Sequence, residues 1–242
     1  MSYFTTRSGR IVAGTLAGAL ALSVTPIVGF FGTAGAADAL PPVATPTGAG
    51  NFCENASATE PFTDVSDADG AQAVIACLVD AGITTGTTAT TYSPNGSVTR
   101  RQMVLFLKRL ADMANAEDTG TNIAPLPADD GVEDFGDTSG ESAAVKTAID
   151  QLVNADVVNG LTATTFGPGE NVSRRQMAAF VNRLQEFLTG TALPATGDYF
   201  DDDNGDSGED NLNAMAEAGI FQGDGAGNVF PGSDLTRRQM AN

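Results

Sequence analysis

The chain has 242 residues, 42% of them apolar, which is sufficient for one or two modest domains with a hydrophobic core. It contains no His, which excludes His-based catalytic triads and His metal sites, and its two Cys form no CxxC or Cys/His cluster, so we expect no metal and no cofactor. The formal net charge of −18 argues against a nucleic-acid partner, because neutralising phosphates requires a broad basic surface.

The N-terminal region has the pattern of a secretory signal peptide. A short basic start precedes an apolar, uncharged segment over residues 11–31, and small residues suited to cleavage follow near Ala36 or Ala37. The apolar segment is also long enough to remain as an uncleaved membrane anchor, but a Pro within it and the small residues after it favour cleavage. We therefore expect a signal peptide over residues 1–37 and a linker over residues 38–61.

The two cysteines are Cys53, in the linker, and Cys77, in the first predicted helix. An even number of cysteines in an exported chain is typical of a disulfide. A bridge between them would stabilise the fold by about 3–4 kcal/mol in the chain-entropy model. The alternative is a free Cys77 buried on an apolar helix face and an unrelated, exposed Cys53. We expect the bridge.

Three repeats follow the linker. They span residues 62–114, 135–188 and 200–242, and polar joints containing Gly or Pro occupy residues 115–134 and 189–199. From the Phe that opens each repeat to the first Arg of its Arg pair, the separations are 38, 39 and 37 residues, whereas equivalent Arg residues lie 74 and then 63 residues apart. Constant units with variable joints indicate a modular repeat architecture.

Each repeat is predicted to form a helix, a loop and a second helix, so the expected fold class is all-α. In repeat one the apolar stripe of the first helix ends at Gly82, typical of a left-handed C-terminal Gly, whereas repeat two has Asp156 there. In repeat three the second helix has one turn, so we expect an incomplete unit or a chain fragment, because without this helix the unit can hardly bury its apolar stripe. Each loop is expected to be pinned to the core by an aromatic ring near a Pro. These pairs are Tyr92 with Pro94, Phe166 with Pro168, and Phe230 with Pro231.

Each second helix begins at a nearly identical motif, VTRRQM, VSRRQM or LTRRQM. The Ser or Thr three residues before a Gln predicts a capping box. A cap does not explain the Arg pair that lies between these two residues. Arg in the first turn opposes the helix dipole and costs about 0.3–1 kcal/mol.

Two accounts of the Arg pairs are open, and they are compatible. An Arg could pair with an acid of the next repeat, such as the Asp two residues after its leading Phe, or it could join free helix amides to bind an external anion. The dipole argument predicts that replacing Arg100 and Arg174 by Gln leaves folding intact or slightly improved, while ligand binding falls.

Other acidic groups in the chain do not indicate a catalytic or metal site. The acidic run over residues 198–211 does not have the residue spacing of an EF-hand loop. Scattered carboxylates in a strongly acidic exported protein are mostly solvated surface groups, so we expect no catalytic residue and no enzymatic activity in the repeats.

The combined pattern of Phe-x-Asp, an apolar helix, Gly-Ile-x-x-Gly, aromatic-x-Pro and Thr-Arg at a helix start resembles the S-layer homology domain. The resemblance covers about three quarters of the chain, from residue 62 onwards. It implies three helical repeats around a pseudo-threefold axis, which anchor exported proteins non-covalently to anionic cell-wall polysaccharide. The Arg that contacts the carboxylate-bearing sugar in the family corresponds to Arg100, Arg174 and Arg237. The acidic position near the grooves between repeats corresponds to Asp64, Asp137 and Asp202.

The chain departs from the family at the second Arg of each pair, since the usual family motif is Thr-Arg-Ala-Glu. A second cation would suit a more anionic ligand. These residues are Arg101, Arg175 and Arg238. We expect a secreted, non-catalytic module at the bacterial cell wall or cell surface. The alternatives are a lattice or protein-interaction module that contacts neighbouring copies, and the targeting module of a longer enzyme that continues past residue 242.

Overall fold

The computed structural model describes residues 62–66, 71–116 and 123–242. Within these ranges the chain forms six α-helices, one short 3-10 helix and no β-strand, which confirms the predicted all-α class. The α-helices are α1 (Gln72–Asp80), α2 (Arg100–Ala116), α3 (Ala143–Asn154), α4 (Arg174–Thr189), α5 (Glu209–Glu217) and α6 (Arg237–Ala241), and the 3-10 helix is Gly136–Thr138.

The expected signal peptide, the linker and Cys53 lie outside the described residues, so the signal peptide and the disulfide stay predictions. Cys77 lies in α1, where its side chain is buried. None of the helices in the described ranges combines the length and the apolar character required to cross a membrane.

The first helices of the three repeats end in the same way. Gly82, Asp156 and Gly219 have φ angles of 70°, 58° and 70°, which is the left-handed region. Asp156 therefore takes the place of the helix-terminating Gly in repeat two. Because it carries a Cβ, this conformation costs about 1 kcal/mol that the two Gly residues avoid.

The helices pack between repeats. Helix α2 of repeat one packs against α3 of repeat two, α4 of repeat two packs against α5 of repeat three, and α6 of repeat three packs against α1 of repeat one. The expectation that repeat three can hardly bury its apolar stripe is therefore wrong. Leu212 and Met215 of α5 are fully buried although α6 has only five residues, because α5 packs against α4.

Three backbone hydrogen bonds join the repeats in a closed cycle. The N–H of Val172 donates to the carbonyl of Val98 (2.8 Å), that of Val98 donates to Leu235 (2.9 Å), and that of Leu235 donates to Val172 (2.8 Å). All three side chains are fully buried. Each of these residues lies two positions before a second helix, so the cycle holds the N-termini of α2, α4 and α6 close to one another.

The leading Phe of each repeat packs against a backbone that has no room for a side chain. A Cβ on Gly86 would lie 2.4 Å from the Phe62 ring, and one on Gly160 would lie 2.3 Å from the Phe135 ring. The Phe rings also contact the loop aromatics, with 5.4 Å between the ring centroids of Phe62 and Tyr92. These contacts explain why each repeat has a second Gly at a constant offset.

The prediction that Phe230 pins the third loop is wrong. Tyr92 and Phe166 are buried as predicted, with one residue between each ring and its Pro. In repeat three the residue at the equivalent position is Val229, which is fully buried, whereas Phe230 is 49% exposed and has a φ angle of 52°. Phe230 lies directly before Pro231, where the backbone turns its side chain outward.

Candidate functional site

Asp64, Asp137 and Asp202 shape the loop of their own repeat. Each carboxylate accepts two backbone N–H hydrogen bonds of 2.7–2.8 Å. Burial raises the pKa of Asp64 and Asp137, but the backbone N–H bonds and the guanidinium of the preceding repeat outweigh it, so both pKa values lie below the ordinary value. The donors to the three carboxylates are Tyr92 and Ser93, Phe166 and Gly167, and Val229 and Phe230.

The first Arg of each pair is buried against the next repeat in the cycle. Arg100, Arg174 and Arg237 are 2%, 8% and 5% exposed. Each donates from Nε and Nη2 to two main-chain carbonyls, at 2.5–2.9 Å. The acceptors are Phe166 and Asn159 for Arg100, Val229 and Gln222 for Arg174, and Tyr92 and Thr85 for Arg237.

Each buried guanidinium also lies over an aromatic ring and near an acid. Arg100 lies 4.4 Å from the Phe166 ring centroid, and the other two lie at 4.4 and 4.3 Å from theirs. Burial lowers the pKa of Arg100, and the nearby Asp137 carboxylate partly offsets this effect. Asp202 acts on Arg174 and Asp64 acts on Arg237 in the same way. The structure thus places each first Arg near the acid of the next repeat, but the guanidinium donates to main-chain carbonyls and not to that carboxylate.

The helix amides next to the Arg pairs are occupied by the protein itself. The N–H groups of Arg100 and Arg101 donate to the carbonyls of Glu170 (2.8 Å) and Pro168 (3.0 Å), and α4 and α6 have equivalent bonds to the next repeat. The idea that free amides bind an anion is therefore wrong. The structure also adds a stabilising contribution that the dipole argument omits, because the positive helix end and the guanidinium both face carbonyl oxygens.

The capping boxes are confirmed at two of the three helices. Ser173 of α4 and Thr236 of α6 each accept from the backbone N–H of the Gln three residues on, and that Gln side chain accepts from the cap backbone. At α2 the Gln102 side chain accepts from the Thr99 N–H at 3.0 Å, but the Thr99 hydroxyl has no hydrogen-bond partner.

The second Arg of each pair reaches the next repeat near the surface. Arg101 forms an ion pair with Glu141 (3.1 Å), and Arg175 forms one with Asp206 (2.6 Å). Arg238 donates to the Asn95 side chain at 3.2 Å. Neither acid was predicted from the sequence, although each lies six residues after the Phe that opens its repeat.

The junction between repeats three and one contains a groove with a volume of about 100 Å³. We call it groove 3–1. Two guanidinium groups line it, that of Arg237 and that of Arg109, which donates to the Ile83 carbonyl at 3.3 Å. The other lining residues are Ile83, Thr84, Thr85, Gly86, Gln102, Leu105, Phe106 and Met240. Arg109 was not predicted as a site residue from the sequence. Its counterpart in repeat two is Arg183, and each of the two lies nine residues after the first Arg of its helix.

The corresponding positions at the other two junctions carry different side chains. Thr84 corresponds to Val158 at the junction of repeats one and two, and to Phe221 at the junction of repeats two and three. Phe221 is 5% exposed and its ring covers the guanidinium of Arg174. Asn159, in the amide orientation that satisfies both of its polar atoms, accepts from Arg183 at 3.2 Å. Groove 3–1 is therefore lined by more hydroxyl groups than the equivalent regions of the other junctions.

Comparison with known proteins identifies the repeats. The family model described as the S-layer homology domain matches residues 61–104, 134–178 and 199–241, more than half of the chain. An endoglucanase from Bacillus sp. (strain KSM-635) is 29% identical over 81% of this chain and 19% of its own length. The surface-layer 125 kDa protein of Lysinibacillus sphaericus is 33% identical over 55% of this chain and 11% of its own length. The chain thus spans less than a fifth of the length of these relatives.

Proposed function

Because the chain belongs to the S-layer homology domain family, we propose that it anchors an exported protein to the cell envelope by binding an anionic cell-wall polysaccharide without catalysis. S-layer homology domains anchor surface proteins to the cell envelope, and the family implies a location at the cell surface. We also infer that the repeats surround a pseudo-threefold axis, since their hydrogen bonds form a closed cycle.

Groove 3–1 is the observation that carries this proposal. In a protein with a net charge of −18, two guanidinium groups line one cavity between repeats. A carboxylate is the natural partner of a pair of Arg side chains, because each guanidinium presents several donors in a fixed plane. The groove, with a volume of about 100 Å³, has room for one carboxylate-bearing substituent while the polymer lies across the surface.

The proposal divides the roles of the predicted site residues. Arg237 and Arg109 bind the carboxylate in groove 3–1, and Arg100 and Arg174 hold the equivalent positions at the other junctions. Asp64, Asp137 and Asp202 act indirectly, because their carboxylates fix the loops that carry the acceptors of the buried Arg. The second Arg residues attract the polymer from the junction edges. These are Arg101, Arg175 and Arg238.

The test is a pelleting assay with purified, protein-free cell-wall sacculi. Arg109→Gln removes the less buried cation of groove 3–1, and Lys108→Gln removes the neighbouring cation, which pairs with Asp112 within α2. We expect Arg109→Gln to lose most of its wall binding and Lys108→Gln to bind as the parent does. Binding by the parent should weaken between low and high salt, because the contacts are ionic. Equal pelleting of Arg109→Gln and the parent, with both folded by circular dichroism, would refute the site.

A lattice or protein-interaction role is the second candidate, favoured by the similarity to a surface-layer protein. If this second function is correct, the chain associates with its own copies and does not bind protein-free cell walls. Light scattering of the purified chain, with and without sacculi, separates the two functions. A role as targeting module of a longer enzyme is compatible with either, since several relatives are named as enzymes and match over a small part of their length.

A further inference from the structure

Repeat three places a carboxylate where the other repeats have an ordinary core side chain. Asp203 lies three residues after the leading Phe, and the corresponding residues are Val65 and Thr138, which are 8% and 3% exposed. Asp203 is fully buried. The Thr138 hydroxyl donates to the Phe135 carbonyl at 2.7 Å, whereas neither carboxylate oxygen of Asp203 has a hydrogen-bond partner.

The charged groups that face Asp203 oppose its ionisation. They are Asp198 in the preceding joint, Glu209 on α5 and the adjacent Asp202, all of them carboxylates. Burial and then repulsion from these three groups raise the pKa of Asp203 to about 7. Arg175, which approaches from α4, is engaged by Asp206 at 2.6 Å.

We propose that Asp203 is a proton-operated switch, which keeps the loop of residues 200–206 packed while it is protonated and loosens that loop when it ionises. A protonated carboxyl carries an O–H that can donate, as the Thr138 hydroxyl does in repeat two. An ionised carboxylate at this position is a buried charge without a partner, which a folded protein tolerates poorly.

The loop that carries Asp203 also carries two contacts of the third repeat. The Asp203 carbonyl accepts from the N–H of Asp206 at 2.7 Å, and Asp206 is the partner of Arg175 on α4. Asp202 holds the backbone of Val229, which accepts from the buried Arg174. Loosening the loop therefore weakens the junction of repeats two and three, and this consequence does not depend on what the protein binds.

The direction of the pH effect follows from the protons bound in each state. An unfolded Asp ionises near pH 3.9, whereas folded Asp203 ionises near pH 7. Between these values the folded state holds one proton more than the unfolded state, so stability falls as the pH rises through this window. Well above pH 7 Asp203 is ionised in both the folded and the unfolded state, so the loss of stability stays constant.

The test compares melting temperatures from pH 4 to pH 9. Asp203→Asn keeps the shape of the side chain but removes its charge. Asp203→Thr introduces the residue that repeat two has at the equivalent position, Thr138. Asp201→Asn is the matched control, because it removes the same charge from an exposed position two residues away. At pH 8 we expect both Asp203 variants to melt roughly 8–17 °C above the parent, and the difference to shrink towards pH 4. Asp201→Asn should follow the pH profile of the parent.

Hydrogen exchange locates the effect within the molecule. In the parent, amide exchange over residues 200–208, corrected for its intrinsic pH dependence, should increase between pH 6 and pH 8. Exchange over residues 135–143, where Thr138 takes the place of Asp203, should not. Parallel melting profiles for the parent and the folded Asp203 variant, or equal changes in exchange in both segments, would overturn the proposal.

Discussion

Replacing Arg100 by Gln tests whether the Arg pairs serve the fold. The substitution removes a guanidinium that is 2% exposed and donates to the carbonyls of Phe166 (2.7 Å) and Asn159 (2.6 Å) of the next repeat. A buried carbonyl that loses its donor costs about 1–3 kcal/mol, and the lost contact with the Phe166 ring adds about 0.5–1 kcal/mol. We therefore expect the free energy of unfolding to fall by about 3 kcal/mol.

Arg101→Gln is the matched control for this experiment. It removes the same charge from the same helical turn, but its side chain is 45% exposed and its ion pair with Glu141 spans 3.1 Å. A pair of this kind is worth about 1 kcal/mol or less. By scanning calorimetry we expect Arg100→Gln to melt roughly 6–12 °C below the parent and Arg101→Gln to melt within about 3 °C of it.

The sequence-based dipole argument predicts that Arg100→Gln is neutral or stabilising, because it regards the guanidinium as an unfavourable charge. If Arg100→Gln melts at or above the temperature of Arg101→Gln, the carbonyl contacts do not hold the repeats together.

Two further predictions concern the acid side of the pH range and the N-terminal region. Asp137→Asn should lower the free energy of unfolding by about 1–2 kcal/mol at pH 7, because the NH2 group that replaces one carboxylate oxygen cannot accept a backbone N–H bond. Since the pKa values of Asp64 and Asp137 lie below the ordinary value, their contribution to stability is complete above about pH 4 and is lost below it, so urea titrations should show a shallower acid limb for Asp137→Asn. Cys53 and Cys77 should resist thiol labelling in denatured, non-reduced protein, and two labelled thiols in freshly secreted material would contradict the bridge.

The elements of each repeat could be predicted from the sequence because their signals are local. A cap and its Gln lie three residues apart, and an apolar stripe repeats within one or two helical turns, so both are visible without the fold. The starts of α4 and α6 at Ser173 and Thr236 agree with these signals. The identity of the family was visible for a related reason, since three copies of one pattern reinforce one another.

The tertiary structure decided which repeat each side chain serves. Arg100 bonds to a carbonyl 66 residues further along the chain, and no local rule relates two positions so far apart. Asp203 lies in a segment with the composition of a solvated acidic loop. It is nevertheless buried, as are Val65 and Thr138 at the equivalent positions of the other repeats. Sequence alone determined the helices, their ends and the threefold repetition, because short-range geometry governs them. The closed cycle of contacts between repeats determined the burial and partners of the charged groups, because burial depends on what the rest of the chain places around a residue.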